Sequence, residues 1–289
     1  MTSKQQTQAK LLKNIMAKVD EFPTLPTVYS NLVDAIANPR CNAGDVAKVI
    51  SNDQSSSTKI LKISNSAIYG FVAKVSSINQ AVVSIGFKEI RSLVLALSVI
   101  KMFEESKNIE AIKPVDLWQF SFAVGSISRN LAKACGIKMV EDYFVAGIVH
   151  GIGKLLFLNF MPDIYNKIIL YSRQNNLPLH QVERATFGIS HAGIGKMLGE
   201  KWKLPRELIT TLGNYYNGMV DGRFDLMTAI VHISVVSATM YRFGNPGNAL
   251  VPRLNQKLWK SMSLPDDFFS KNYPIFLKEY DEMSGMLLK

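Results

Sequence analysis

Four histidines, His150, His180, His191 and His232, are the first residues to weigh for chemistry. His150 closes an apolar helical run through Phe144, Val145, Ile148 and Val149, and the bend Gly151-Ile152-Gly153-Lys154 follows it. A histidine so placed can hold a metal or a phosphate, or it can pack as a core residue. A hydrolytic metal site needs about three rigid ligands, usually with a carboxylate among them. No two of these histidines lie four apart on one helix, and the residue after His150 is a glycine, which has no donor to offer. The Gly-x-Gly-Lys step lacks the glycine spacing and the following Ser or Thr of a phosphate-binding P-loop. Its simpler reading is that the glycines let two helices approach closely. Lys154 and His191 form the pair best suited to gripping an anion. Tyr215 and Tyr216 can stack a nucleotide base or fill the core. Arg91 can be solvated, cap a neighbouring helix, or pin two parts of the chain together.

The elements that must position these groups all read as helices. Leu12, Ile15, Met16 and Val19 mark a first one, halted by Phe22-Pro23-Thr24-Leu25-Pro26. Thr27, Asp45, Asp53 and Ser76 or Ser77 are the expected caps of the next four. The last of these carries Ile78, Ala81, Val82 and Ile85 on one face and stops at Gly86. An apolar helix over 88–102 closes this part. The run Asn65-Ser66-Ala67-Ile68-Tyr69-Gly70 reads as a helix end, with the asparagine capping locally and Gly70 at positive φ, or alternatively as a docking surface. A polar stretch from Glu104 to Lys113 and Pro114 marks a boundary. Helices are then expected over 115–134, up to His150, and over 163–174, 179–187, 191–202, 205–216 and 224–243, before a short helical tail. No alternating strand pattern, internal repeat or sustained heptad is evident. The fold class is all-α, divided as 1–110, 111–243 and 244–289.

Composition narrows the classes. Hydrophobic residues make up 47% of 289, enough for a large core. No uninterrupted apolar run reaches the ~18 residues of a membrane span, and Leu93–Ile100 is flanked by Arg91 and Lys101. The polar start lacks a signal-peptide core, and Cys41 and Cys135 fit no metal spacing. A cytoplasmic, reduced protein without membrane insertion is the expectation. The net charge of +10 raises a nucleic-acid reading. However, the lysines recur singly on amphipathic segments (Lys59, Lys62, Lys88, Lys101, Lys133, Lys138), which describes solvated helix faces better than a basic groove.

Taken in order, several of these motifs form a recognisable set. They include Phe22-Pro23-Thr24-Leu25-Pro26, the run from Ile50 to Leu61, Asn65 to Gly70, Ile78 to Gly86 and Ile90 to Leu95. They continue with Val145 to Lys154, His191 to Gly195 and Trp202-Lys203-Leu204-Pro205. Over roughly residues 20–220 the chain resembles the HDOD domain, an output domain related to HD metal-dependent phosphohydrolases. Against the HD pattern, Gly151 stands in place of the metal-binding aspartate and Phe120 in place of an upstream histidine. Tyr215-Tyr216 replaces a histidine pair, and Ser234 or Val235 replaces a late aspartate.

The resemblance implies an N-terminal helical bundle packed on a degenerate HD-like bundle. It also implies a regulatory, non-catalytic role in bacterial signalling, through unidentified signalling proteins or a nucleotide second messenger, with no metal and no cofactor. A residual phosphohydrolase using His150, His191 and unidentified carboxylates is the competing class, and a basic nucleic-acid-binding protein the third. The candidate ligand or partner site is His150, Lys154, His191, Tyr215, Tyr216 and Arg91.

Overall fold

The computed structural model describes residues 3–287 except 67, 68, 70, 72 and 249; the expected positive φ of Gly70 lies outside the described residues. The described residues are mostly helical, with one minimal two-stranded hairpin among them. It begins with α1 (Ser3–Glu21), α2 (Thr27–Ala37), α3 (Ala43–Ser51), α4 (Gln54–Ser64), α5 (Ile78–Ile85) and α6 (Phe87–Glu104). Helices α7 (Pro114–Ala134), α8 (Val140–Val149), α9 (Gly153–Phe160), α10 (Pro162–Gln174), α11 (Leu179–Phe187), α12 (His191–Lys201) and α13 (Arg206–Asn214) follow. A hairpin of β1 (Met219–Val220) and β2 (Arg223–Phe224) leads to α14 (Leu226–Met240), α15 (Gln256–Ser261) and α16 (Phe268–Leu287). The two-residue strands fall where a loop is expected, because they are too short to carry an alternating pattern.

Local chemistry explains the helix starts. Asp53 and Ser77 cap as the sequence predicts, accepting from the amides of Ser55 and Gln80. Two expected caps shift. Thr27 is the first helical residue behind Pro26, and Asn42 rather than Asp45 caps α3. Asp45 is the reciprocal member of a capping box, its carboxylate accepting from the Asn42 amide at 3.0 Å. Asn65 caps α4, donating to Leu61 O and bonding Val75 in both directions. Gly86, at φ 105°, ends α5 and starts α6 in one residue, a conformation open to glycine.

Glycine also sets the central packing. A Cβ on Gly147 of α8 would meet Gly125 Cα of α7 at 2.5 Å, so these helices touch backbone to backbone. The facing carboxylate of Glu141 is buried but paired with Arg129 at 2.9 Å. Helix α14 packs on α7 and α8, and α12 packs on α9 and α13. The stretch 140–160 is long and apolar enough for a membrane span by composition, which an inspection of uninterrupted runs passes over, but 83% of its apolar window is buried against the protein's own helices. It is also interrupted at His150, so α8 and α9 are core helices joined by a bend.

Distant segments complete the core. Lys201 donates to the carbonyls of Val19, Asp20 and Phe22, closing the C-terminal end of α1, and Trp202 Nε1 donates to Pro23 O. The polar stretch after α6 is held to α10, with Arg173 donating to Ala111 O and the Ala111 amide to Asn166. The 244–289 segment contributes Leu258, Met262, Phe268 and Phe276 to the apolar core.

Candidate functional site

The bend between α8 and α9 places His150 and Lys154 inside the bundle, 1% and 2% exposed. The approach of α9 to α12 depends on Gly153, where a Cβ would lie 2.0 Å from His191 O. At Gly151 the space is ordinary, the nearest atom being Ser121 Oγ at 3.8 Å from a built Cβ. The glycine expected to allow close helix approach is therefore the second of the pair.

His150 Nδ1 donates to Gly147 O at 2.6 Å, and its ring lies 5.7 Å from Phe120 and 5.0 Å from Tyr215, centroid to centroid. Burial drives its pKa down to about 3, so the ring is neutral at ordinary pH. Lys154 Nζ donates to Pro246 O at 2.5 Å, and burial lowers its pKa to about 8.

At the centre is a carboxylate that the sequence analysis left unidentified. Glu183, completely buried on α11, accepts from Tyr165 OH at 2.9 Å, from the His191 amide at 2.9 Å and from His191 Nδ1 at 2.5 Å. Burial alone would raise its pKa, but these bonds and the Lys154 charge hold it below the usual carboxylate range. Burial outweighs the pull of Glu183 on His191 and keeps that imidazole neutral. Nδ1–H then faces the carboxylate, and Nε2 accepts from Tyr215 OH at 2.6 Å. Every polar atom of the chain Tyr165–Glu183–His191–Tyr215 thus has a protein partner. Its one negative charge favours the buried ammonium of Lys154 electrostatically.

A metal of the HD type does not fit these donors. Both nitrogens of His191 are engaged, Phe120 and Tyr215 pack against His150, and the one carboxylate in the network already accepts from three protein donors. Among the described residues no cluster of three or more histidine, cysteine or acidic side chains can hold a metal ion.

The sequence-predicted residues do not form one site. His150, Lys154, His191 and Tyr215 converge, as does Phe120. Tyr216 lies on the outer side, half-buried, its ring 5.1 Å from that of His180. Arg91 does not join them. It lines a separate cavity of ≈290 Å³ with Tyr29, Asp142 and Glu207, because α6 carries it to the junction with α2, α8 and α13.

Comparison with known proteins fits this arrangement. The HDOD domain model matches residues 22–217. The chain belongs to the HDOD family. An uncharacterised protein of Treponema pallidum (strain Nichols) is 28% identical over 214 residues, 73% of this chain but 41% of that relative. The chain thus spans less than half the length of this curated relative. Among solved structures, an HDOD domain protein of unknown function from Geobacter sulfurreducens superposes with a TM-score of 0.78 at 22% identity, covering 96% of this chain and 98% of the other. A candidate phosphohydrolase from Shewanella amazonensis SB2B gives 0.74 at 23% identity, covering 94% and 97%. A candidate signal transduction protein from Marinobacter aquaeolei VT8 gives 0.75 at 18%, covering 98% of this chain and 67% of that one. At these identities the likeness shows the fold.

Within this HDOD chain, several of the positions that depart from the HD pattern pack in the interior. Phe120 and Tyr215 flank His150, and Ser234 bonds Ser128 across α14 and α7 at 2.9 Å. Ser121 Oγ, beside Gly151, is buried without a hydrogen-bond partner among the described residues. Sequence reasoning missed Glu183 and Tyr165. The available signal was Glu183's place on the Leu179-Val182-Phe187 face of α11, a core position where a lone carboxylate demands partners.

Proposed function

We propose that this HDOD protein is a non-catalytic regulatory module that transmits a signal by binding other molecules. The observation that carries the reading is the closed network around Glu183. Its carboxylate, imidazole and phenols are bonded to each other and leave no open coordination position, which a hydrolytic metal centre requires. What the family supplies here is a rigid helical body with several surface cavities rather than a reaction centre.

The test is a hydrolase assay on the purified chain, with phosphomonoester and phosphodiester substrates and added manganese, iron or magnesium. The reading predicts no turnover above buffer. Turnover that disappears in His150→Ala and Glu183→Gln, both still folded, would establish a phosphohydrolase instead.

A further inference from the structure

Outside the Glu183 network lies a cavity of ≈600 Å³, walled by the start of α11, the end of α13, the buried face of α14 and the loop leading to α15. That size lies within the ~300–1,000 Å³ range of small-molecule sites. We propose that it binds a nucleoside monophosphate or a closely similar planar, anionic molecule. This inference rests on the non-catalytic reading above, since a phosphohydrolase would consume such a ligand.

Three features define the occupant. The first is an aromatic wall: the rings of His180 and Tyr216, packed on each other at 5.1 Å and tilted by 30°, both line the cavity. The Arg184 guanidinium lies over the Tyr216 ring at 5.0 Å. Bases stack on such surfaces with little dependence on sequence.

The second feature is charge. None of the residues lining the cavity is acidic, and Arg253 stands exposed at its mouth with no ion pair among the described residues. The nearby buried Glu183 is already bonded by Tyr165 and His191. An anion therefore meets a cation and no repelling carboxylate.

The third is a mixed floor and rim. His191 and His232 are buried beneath the cavity, with His232 Nδ1 donating to Tyr215 O at 3.0 Å. Asn217 and Gln181 bring amides to the edge, while Val251 adds an apolar contact. A bare phosphate would leave most of this volume unfilled. A purely apolar ligand would make no use of Arg253.

The test is calorimetric titration of the full chain with AMP, GMP, CMP and UMP, with adenosine and inorganic phosphate as controls. At least one of the four should bind saturably and more tightly than either control, and chromatography should recover it intact. Arg253→Ala should weaken binding about tenfold toward the nucleoside level, and Tyr216→Ala should weaken it by about as much. Arg253 is exposed, so its variant should keep the wild-type melting temperature. Failure of all four to bind at about 5 mM, or binding as tight as the wild type's by both variants, would overturn the site and leave the non-catalytic reading intact. Recovery of nucleoside and phosphate would instead overturn the non-catalytic reading.

Discussion

Glu183 is the residue on which the interior charge balance turns. It is a fully buried carboxylate with three protein donors, and it interacts electrostatically with the buried Lys154 ammonium. Replacing it by glutamine removes the negative charge that favours the Lys154 ammonium and leaves one donor of the network without its acceptor, which costs on the order of 1–3 kcal/mol. Urea denaturation of Glu183→Gln should show a loss of that size. Adding Lys154→Met to Glu183→Gln should restore part of it, whereas additive losses would mean that the two groups do not interact.

The same residues set the acid response. His150 has a folded pKa of about 3 against about 6.5 unfolded, so the unfolded chain binds the extra proton between those values. Stability should therefore fall as pH drops below about 6.5, by up to about 1.4 kcal/mol per pH unit for His150 alone. His180, at about 4 when folded, adds to the same limb. Glu183, held below its ordinary value, loses its contribution at still lower pH. Thermal melts from pH 7 to pH 4 should show a steady decline, and a flat profile would contradict the neutral interior histidines.

At the scale of elements, the junction of α9 with α12 and that of α8 with α7 are set by the absence of side chains. Gly153→Ala forces a methyl into His191 O and should cost about 1–3 kcal/mol as backbones separate. Gly151→Ala, two residues earlier, meets only Ser121 Oγ at 3.8 Å and should be neutral or stabilising by up to about 1 kcal/mol. Comparing their melting temperatures tests whether the bend is built for close approach. Helix placement was legible in the sequence here because periodicity and stop residues agreed: α7, α10 and α11 fall within a residue or two of where they were expected. Caps were less legible. Asn42 and Asp45 are both good capping residues, and only the fold decides which one leads. Lys201 closing α1 joins positions some 180 residues apart, which no local pattern records.

For the molecule as a whole, the C-terminal segment is part of the body. Phe276 of α16 is 1% exposed, Glu279 accepts from Asn130 of α7 at 3.1 Å, and Tyr280 OH accepts from the Gly244 amide at 3.0 Å. Phe276→Ala should cost about 3–5 kcal/mol, seen as a lower urea midpoint with the slope unchanged, if the chain unfolds as one unit. A small effect would show that α16 packs loosely. The candidate site was only half legible at this scale. His150, Lys154, His191 and Tyr215 were named from their types and spacing and do converge. Arg91 belongs to another junction, and Glu183 stayed hidden because a buried carboxylate looks in sequence like any glutamate on a helix.

The central claim is that the position of an HD metal centre is closed by the protein's own side chains. Elemental analysis of the chain, purified from cells supplied with manganese, iron and zinc and without chelators, tests it most directly. The account predicts well under one metal ion per chain, unchanged in Glu183→Gln. One or two ions per chain, lost when His150 or Glu183 is replaced, would contradict it.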